Sequence, residues 1–119
     1  MLSVSNQLKM WSSEPLKKIG FAVDGEFTFS GVEREPAFEW ADGTFTDKLI
    51  GFDYPVVQDY VDENGEVHRQ NQIVVRIEDI NAPSFKFGDK LVFDGLGGYY
   101  SRKSKRYVCH AENVRKVGK

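Results

Sequence analysis

Apolar and polar residues alternate along most of this chain, and the alternation predicts strands. Ile19, Phe21 and Val23 alternate with Lys18, Gly20 and Ala22, and after Asp24-Gly25 the rings of Phe27 and Phe29 alternate with Thr28 and Ser30. A period of two marks a half-buried strand. Asp24-Gly25 is then either a hairpin turn or a bulge in one long, bending strand. Residues 33–44 read as a polar connection that carries Phe38, Trp40 and Asp42-Gly43. The strongest hairpin signal is Asn64-Gly65. A two-residue turn there sets Glu63 opposite Glu66. It pairs Phe52 with Ile77, Tyr54 with Val75 and Val56 with Ile73 on an apolar face. The other face pairs Asp53 with Arg76, Val57 with Gln72, Asp59 with Gln70 and Val61 with His68. A slip of one residue would exchange the faces.

Ile80–Asp89 is a connector broken by Pro83. Lys90–Phe93 is a short strand, and Tyr107–Val117 returns as another. Five extended units result, near 16–32, 45–62, 66–79, 90–96 and 106–117. Mostly antiparallel strands in a chain of this size predict an all-β fold: an OB-fold-like, five-stranded small barrel with little helix. An SH3-like barrel or a small β-sandwich fits the same count. Residues 16–119 are expected to form this single domain, and residues 1–15 an N-terminal arm. Leu8 and Trp11 could share a helical face, so the arm is either extended or a single turn docked on the barrel. A swapped dimer contact is the alternative.

Length and composition suit one globular domain of 119 residues. No apolar run approaches a membrane span, and the N-terminus lacks the order of a secretory signal. A single cysteine forms no internal disulfide, so a reducing cytoplasm is the expected compartment. The net charge of −2 argues against a generic nucleic-acid binder, but its distribution changes the picture. Residues 21–98 hold 6 cations and 16 acids, whereas residues 99–119 hold 7 cations and 1 acid. An acidic body with a basic C-terminal strand and loop steers an anion to one place.

The basic part centres on Gly95–Tyr107. A glycine hinge leads to Tyr99 and Tyr100, then to Arg102, Lys103, Lys105 and Arg106, then to Tyr107. Cations neutralise phosphates, and flat rings stack on bases, so this pattern suits single-stranded nucleic acid. In an OB-like barrel the stretch falls in the link between strands four and five, one of the two binding loops; the other carries Trp40. Arg76 is a further candidate. Each residue also has a plain structural role open to it. The loop could be a solvated hairpin, Trp40 a lid on the core, and Tyr107 a core cap. Tyr99 and Tyr100 have opposite parity, so at most one faces inward. Arg115 and Lys116 are secondary candidates.

No enzyme constellation stands out. Cys109-His110 is a bare dipeptide whose members point to opposite faces of a strand, and it lacks the spacing of a zinc motif. The acids Glu33, Glu35, Glu39, Asp42 and Asp47 show no calcium-loop spacing. Gly95-Leu-Gly-Gly98 is followed by neither a helix start nor a lysine-serine pair, so it is not a phosphate cradle. No cofactor, metal or catalytic residue is expected.

The block Lys90-Leu-Val-Phe-Asp-Gly-Leu-Gly-Gly-Tyr-Tyr100, with Tyr107-Val-Cys-His-Ala-Glu-Asn-Val114, resembles the small OB-fold single-stranded DNA-binding proteins of phages of Gram-positive bacteria, of the lactococcal siphophage type. It is also similar to proteins of conjugative transposons from the same bacteria. The phage resemblance implies sequence-non-specific binding of single-stranded DNA in phage replication or recombination. It also implies a homodimer or higher oligomer, replication or recombination proteins as partners, and no membrane. One departure is the C-terminus: Arg115-Lys-Val-Gly-Lys119 stands where cellular relatives carry an acidic partner-binding tail. The competing reading is a β-barrel protein–protein module that binds no nucleic acid.

Overall fold

A computed structural model describes residues 12–18, 21–61 and 64–118. Among these, eight strands and one short helix form: α1 (Glu14–Lys18), β1 (Phe27–Phe29), β2 (Glu35–Ala41), β3 (Thr44–Val61), β4 (Val67–Ile77), β5 (Lys90–Asp94), β6 (Gly97–Ser101), β7 (Arg106–Ala111) and β8 (Asn113–Lys116). β1 lies antiparallel between β3 and β5. β3 continues antiparallel to β4, and β4 runs parallel to β7. β6 pairs with β7 and β5 with β8. Both of these ladders share one register, from Leu91↔Lys116 to Ser101↔Arg106, so residues 90–116 are one long hairpin bent at Gly95 and Glu112. The Glu112 N–H donates to the Asp94 carbonyl across the bend (2.8 Å). The ladders thus run in a circuit, and the sheet curls into the expected all-β, barrel-like fold, with eight strands where five were expected; β4 meets β7 over only three residue pairs.

The inner face carries the core. Phe27, Phe29, Tyr54, Val56, Val75, Ile77, Leu91, Phe93 and Cys109 are buried, with Leu16 of α1 closing one side. Phe27 meets Phe93 edge-on at 5.6 Å, a geometry that places a positive ring edge on a negative face. The buried Tyr54 hydroxyl donates to the Pro83 carbonyl and pins the 78–89 connector across the barrel. Burial pushes that phenol up to about 12. Ser12 belongs with the barrel too, since its carbonyl accepts from the Gly98 N–H (2.9 Å). Residues 1–11 of the expected arm, with Leu8 and Trp11, lie outside the described residues.

Three expectations are corrected. The first unit is not one strand. Residues 14–18 are helical, a turn closes at Gly25 through its N–H to the Ala22 carbonyl (2.9 Å), and only Phe27–Phe29 enters the sheet. Phe21 and Val23 are buried by docking rather than by a ladder, which produces the same alternation. Residues 33–44, read as a connection, contain β2 and its turn into β3. Asp42 (φ 52) and Gly43 (φ 78) both take positive φ, as a two-residue hairpin turn of matching twist requires. Only Ala37 of β2 is buried, so the strand lacks a hydrophobic face to announce it. The β3–β4 register holds as expected from Phe52↔Ile77 to Gln58↔Asn71. It then slips by one, to Tyr60↔His68 and Val61↔Val67 instead of Asp59–Gln70 and Val61–His68. Five residues, not two, therefore connect the strands.

Gln58 explains how the turn at residues 22–26 is held. Its buried amide accepts from the Ala22 N–H (2.9 Å) and donates to the carbonyls of Ala22 (3.0 Å) and Glu26 (3.2 Å). Gln58→Ala would strand three backbone groups, at a cost of about 2 kcal/mol. A clear drop in the urea midpoint at unchanged slope is expected.

Candidate nucleic-acid interface

Several of the candidate residues gather where β4 meets β7. β4 and β7 pair only at Val75↔Cys109, Arg76↔His110 and Ile77↔Ala111. Before those pairs the strands part, and an open groove of about 830 Å³ lies between Gln72–Val74 and Lys105–Val108. Tyr100, Arg76, Asp53, Glu35 and His110 also line it.

The β6–β7 hairpin delivers the aromatic wall. Tyr100 and Tyr107 are cross-strand partners, with ring centroids 5.2 Å apart at 68°. Tyr107 is half-buried against the core, while Tyr100 is about half exposed. The core-cap role and the groove role of Tyr107 are therefore compatible. Tyr99 has the opposite parity, pairs with Val108, and is not among the groove residues. The loop at residues 102–105 is closed by Ser101, whose carbonyl accepts from the Lys105 N–H (2.7 Å) and whose Oγ accepts from the Ser104 N–H (3.2 Å). Lys105 takes a positive φ of 58°, which ends the turn and aims the chain back into β7.

Charge pairing separates the cations. Arg102, Lys103, Lys105 and Arg106 are exposed, and among the described residues no carboxylate pairs with them. Arg76 differs. Its Nε and Nη2 donate to both oxygens of Asp53 (2.8 and 3.1 Å), and this bidentate bond raises its pKa further. It sits on the groove floor as half of an ion pair. Arg115 and Lys116 pair with Asp94 (3.8 Å) and Asp89 (3.5 Å) on or beside β5. The hairpin tip thus carries a cluster of four cations with no carboxylate partner among the described residues, whereas Arg76, Arg115 and Lys116 are paired.

Trp40 is not brought to this groove. It faces Phe45 across the β2–β3 turn, with centroids 4.7 Å apart, and the two side chains are 60% and 65% exposed. It is no lid on the core. β3 runs from that turn toward Asn64-Gly65, β4 returns, and β7 is parallel to β4. The basic loop before β7 therefore lies at the Asn64-Gly65 end, and Trp40 at the opposite end.

Sequence reasoning did not assign Glu35, Asp53, Gln72 or His110 to a site. Pairing sets Glu35, Asp53, Arg76 and His110 in one row across four strands. The Asp53–Arg76 step was legible from the hairpin, whereas His110 joins through a parallel pairing between distant segments. Cys109, on the opposite face, is buried, and burial pushes its thiol up to about 12. Burial, aided by the Arg76 charge and opposed by Asp53, lowers His110 from 6.5 to about 4. The imidazole is neutral at neutral pH and adds no charge to the groove. Because the unfolded chain takes up this proton first, His110 contributes stability above pH 6.5 that is lost as pH falls toward 4. The melting temperature should fall over that window, and His110→Gln should flatten that part of the fall.

No protein-family model, curated protein or solved structure matches the chain. No helix among the described residues is long and apolar enough to cross a membrane.

Proposed function

We propose that this protein binds single-stranded DNA without sequence preference, through the groove between β4 and β7 and the tip of the β6–β7 hairpin. The observation that carries the reading is that four uncompensated cations adjoin the Tyr100–Tyr107 pair at one edge of an otherwise acidic body. Arg102, Lys103, Lys105 and Arg106 neutralise phosphates and release counterions. Tyr100 and Tyr107 offer ring faces to bases, each worth roughly 1–3 kcal/mol. Every base has such a face, so selectivity among sequences is low. Duplex DNA hides its bases, so it engages only the charged part. The resemblance of Lys90–Tyr100 and Tyr107–Val114 to phage single-strand binders supports a role in phage replication or recombination in a host cytoplasm.

Titration with oligo-dT and with duplex of equal length, at two salt concentrations, tests the reading. Tighter binding to oligo-dT, weakened by salt, is expected. Tyr100→Ala should lower oligo-dT affinity about 10-fold and leave the duplex value nearly unchanged. Equal loss on both ligands, or no preference for oligo-dT, would remove the stacking role.

A further inference from the structure

The end of the barrel opposite the basic hairpin carries an unexplained surface. Trp40 and Phe45 stand edge to face at the β2–β3 turn and are mostly exposed. Asp42 and Asp47 beside them are exposed and form no ion pair among the described residues, whereas Glu39 is matched by Lys48 (3.6 Å). The surplus at this tip is negative, which repels a phosphate backbone. Two large rings in water are costly to leave uncovered. Among the described residues, the groove end just described sets exposed cations without carboxylate partners beside an aromatic-lined opening.

We propose that the β2–β3 tip of one copy docks in the β4–β7 groove of a second copy. Trp40 and Phe45 then pack against Tyr100 and Tyr107, and Asp42 and Asp47 meet Lys105 and Arg106. The hairpin tip is two residues wide at its turn, so it presents a narrow wedge to the opening. Donor and acceptor surfaces differ and lie at opposite ends. The contact is therefore head-to-tail, and it extends into open chains instead of closing as a two-fold dimer. The self-contact stands on charge and shape alone. Its further consequence, that single-stranded DNA and self-association exclude one another, rests on the function proposed above.

Sedimentation velocity of the full chain tests the contact without DNA. The mean mass should rise continuously with concentration and fall with added salt. A tip variant (Phe45→Ala with Asp42→Lys and Asp47→Lys) and a groove variant (Arg102, Lys103, Lys105 and Arg106 to Glu) should each stay monomeric when alone. Their charges are exchanged, so mixing the two should restore association; a salt-sensitive complex in the mixture supports the docking. A wild-type monomer at every concentration, a closed dimer, or association that survives in either variant alone would overturn it, and so would a mixture that stays monomeric. In a separate arm, oligo-dT should dissolve the wild-type chains. If it binds without dissolving them, the shared-groove claim fails. If it does not bind at all, only the nucleic-acid reading fails.

Discussion

Changing Arg102, Lys103, Lys105 and Arg106 together to alanine should weaken oligo-dT binding by roughly 10²- to 10³-fold at about 0.1 M salt. The estimate follows from counterion release, in which each single-strand phosphate contact contributes about 0.7 to the slope of log affinity against log salt. Four contacts sum to a slope of about 3, which is also the change expected in the measured salt dependence. The fold should be untouched, because all four side chains are exposed and lie in or beside a four-residue loop closed by Ser101. Arg76→Ala makes an instructive contrast. It removes half of an ion pair and leaves Asp53 unpaired in the groove, so it should lower stability as well as affinity. A quadruple variant with unchanged affinity and unchanged salt slope would show that the hairpin tip does not meet phosphate.

Gly51→Ala should destabilise the fold by about 3 kcal/mol or more, among the largest effects of any single-methyl change here. Gly51 lies in β3 where the strand passes over the end of β4. A Cβ there would collide with the Ile77 carbonyl and come within 2.8 Å of the Glu78 Cα. Those are backbone atoms of a buried strand end, and they cannot rotate aside as a side chain would. The close approach lets one 18-residue strand serve two partners, pairing with β2 through Glu35↔Asp53 and with β4 from Phe52↔Ile77 onward. Separating the strands to admit a methyl would disturb the Asp53–Arg76 pair two residues on, and with it the groove floor. Urea unfolding should show the loss directly, and an unchanged midpoint would mean that the β3–β4 crossing is looser than described.

Sequence pattern by itself determined the all-β character, the β3–β4 hairpin with its register from Phe52 to Gln58, and the basic, aromatic-flanked link before the last strand, though it read Tyr99 and Tyr100 as part of that link and the structure sets them in β6. These follow from period-two alternation and turn residues, signals that act between near neighbours. It could not resolve β2, whose residues alternate without a buried face, nor the docked turn at residues 22–26, where Phe21 and Val23 imitate a strand. The Gln58 clamp on that turn joins residues more than 30 positions apart. Tertiary structure alone decided which cations remain free and where Trp40 stands. The Asp53–Arg76 pair was legible from the hairpin register, but Arg115 and Lys116 look like Arg102 and Lys103 in the sequence, and only the fold brings carboxylates to the first two and none to the others among the described residues. The parallel meeting of β4 and β7, which opens the groove and carries His110 into it, joins segments more than 30 residues apart. Its place is set by closure of the whole barrel, a condition that no local pattern encodes.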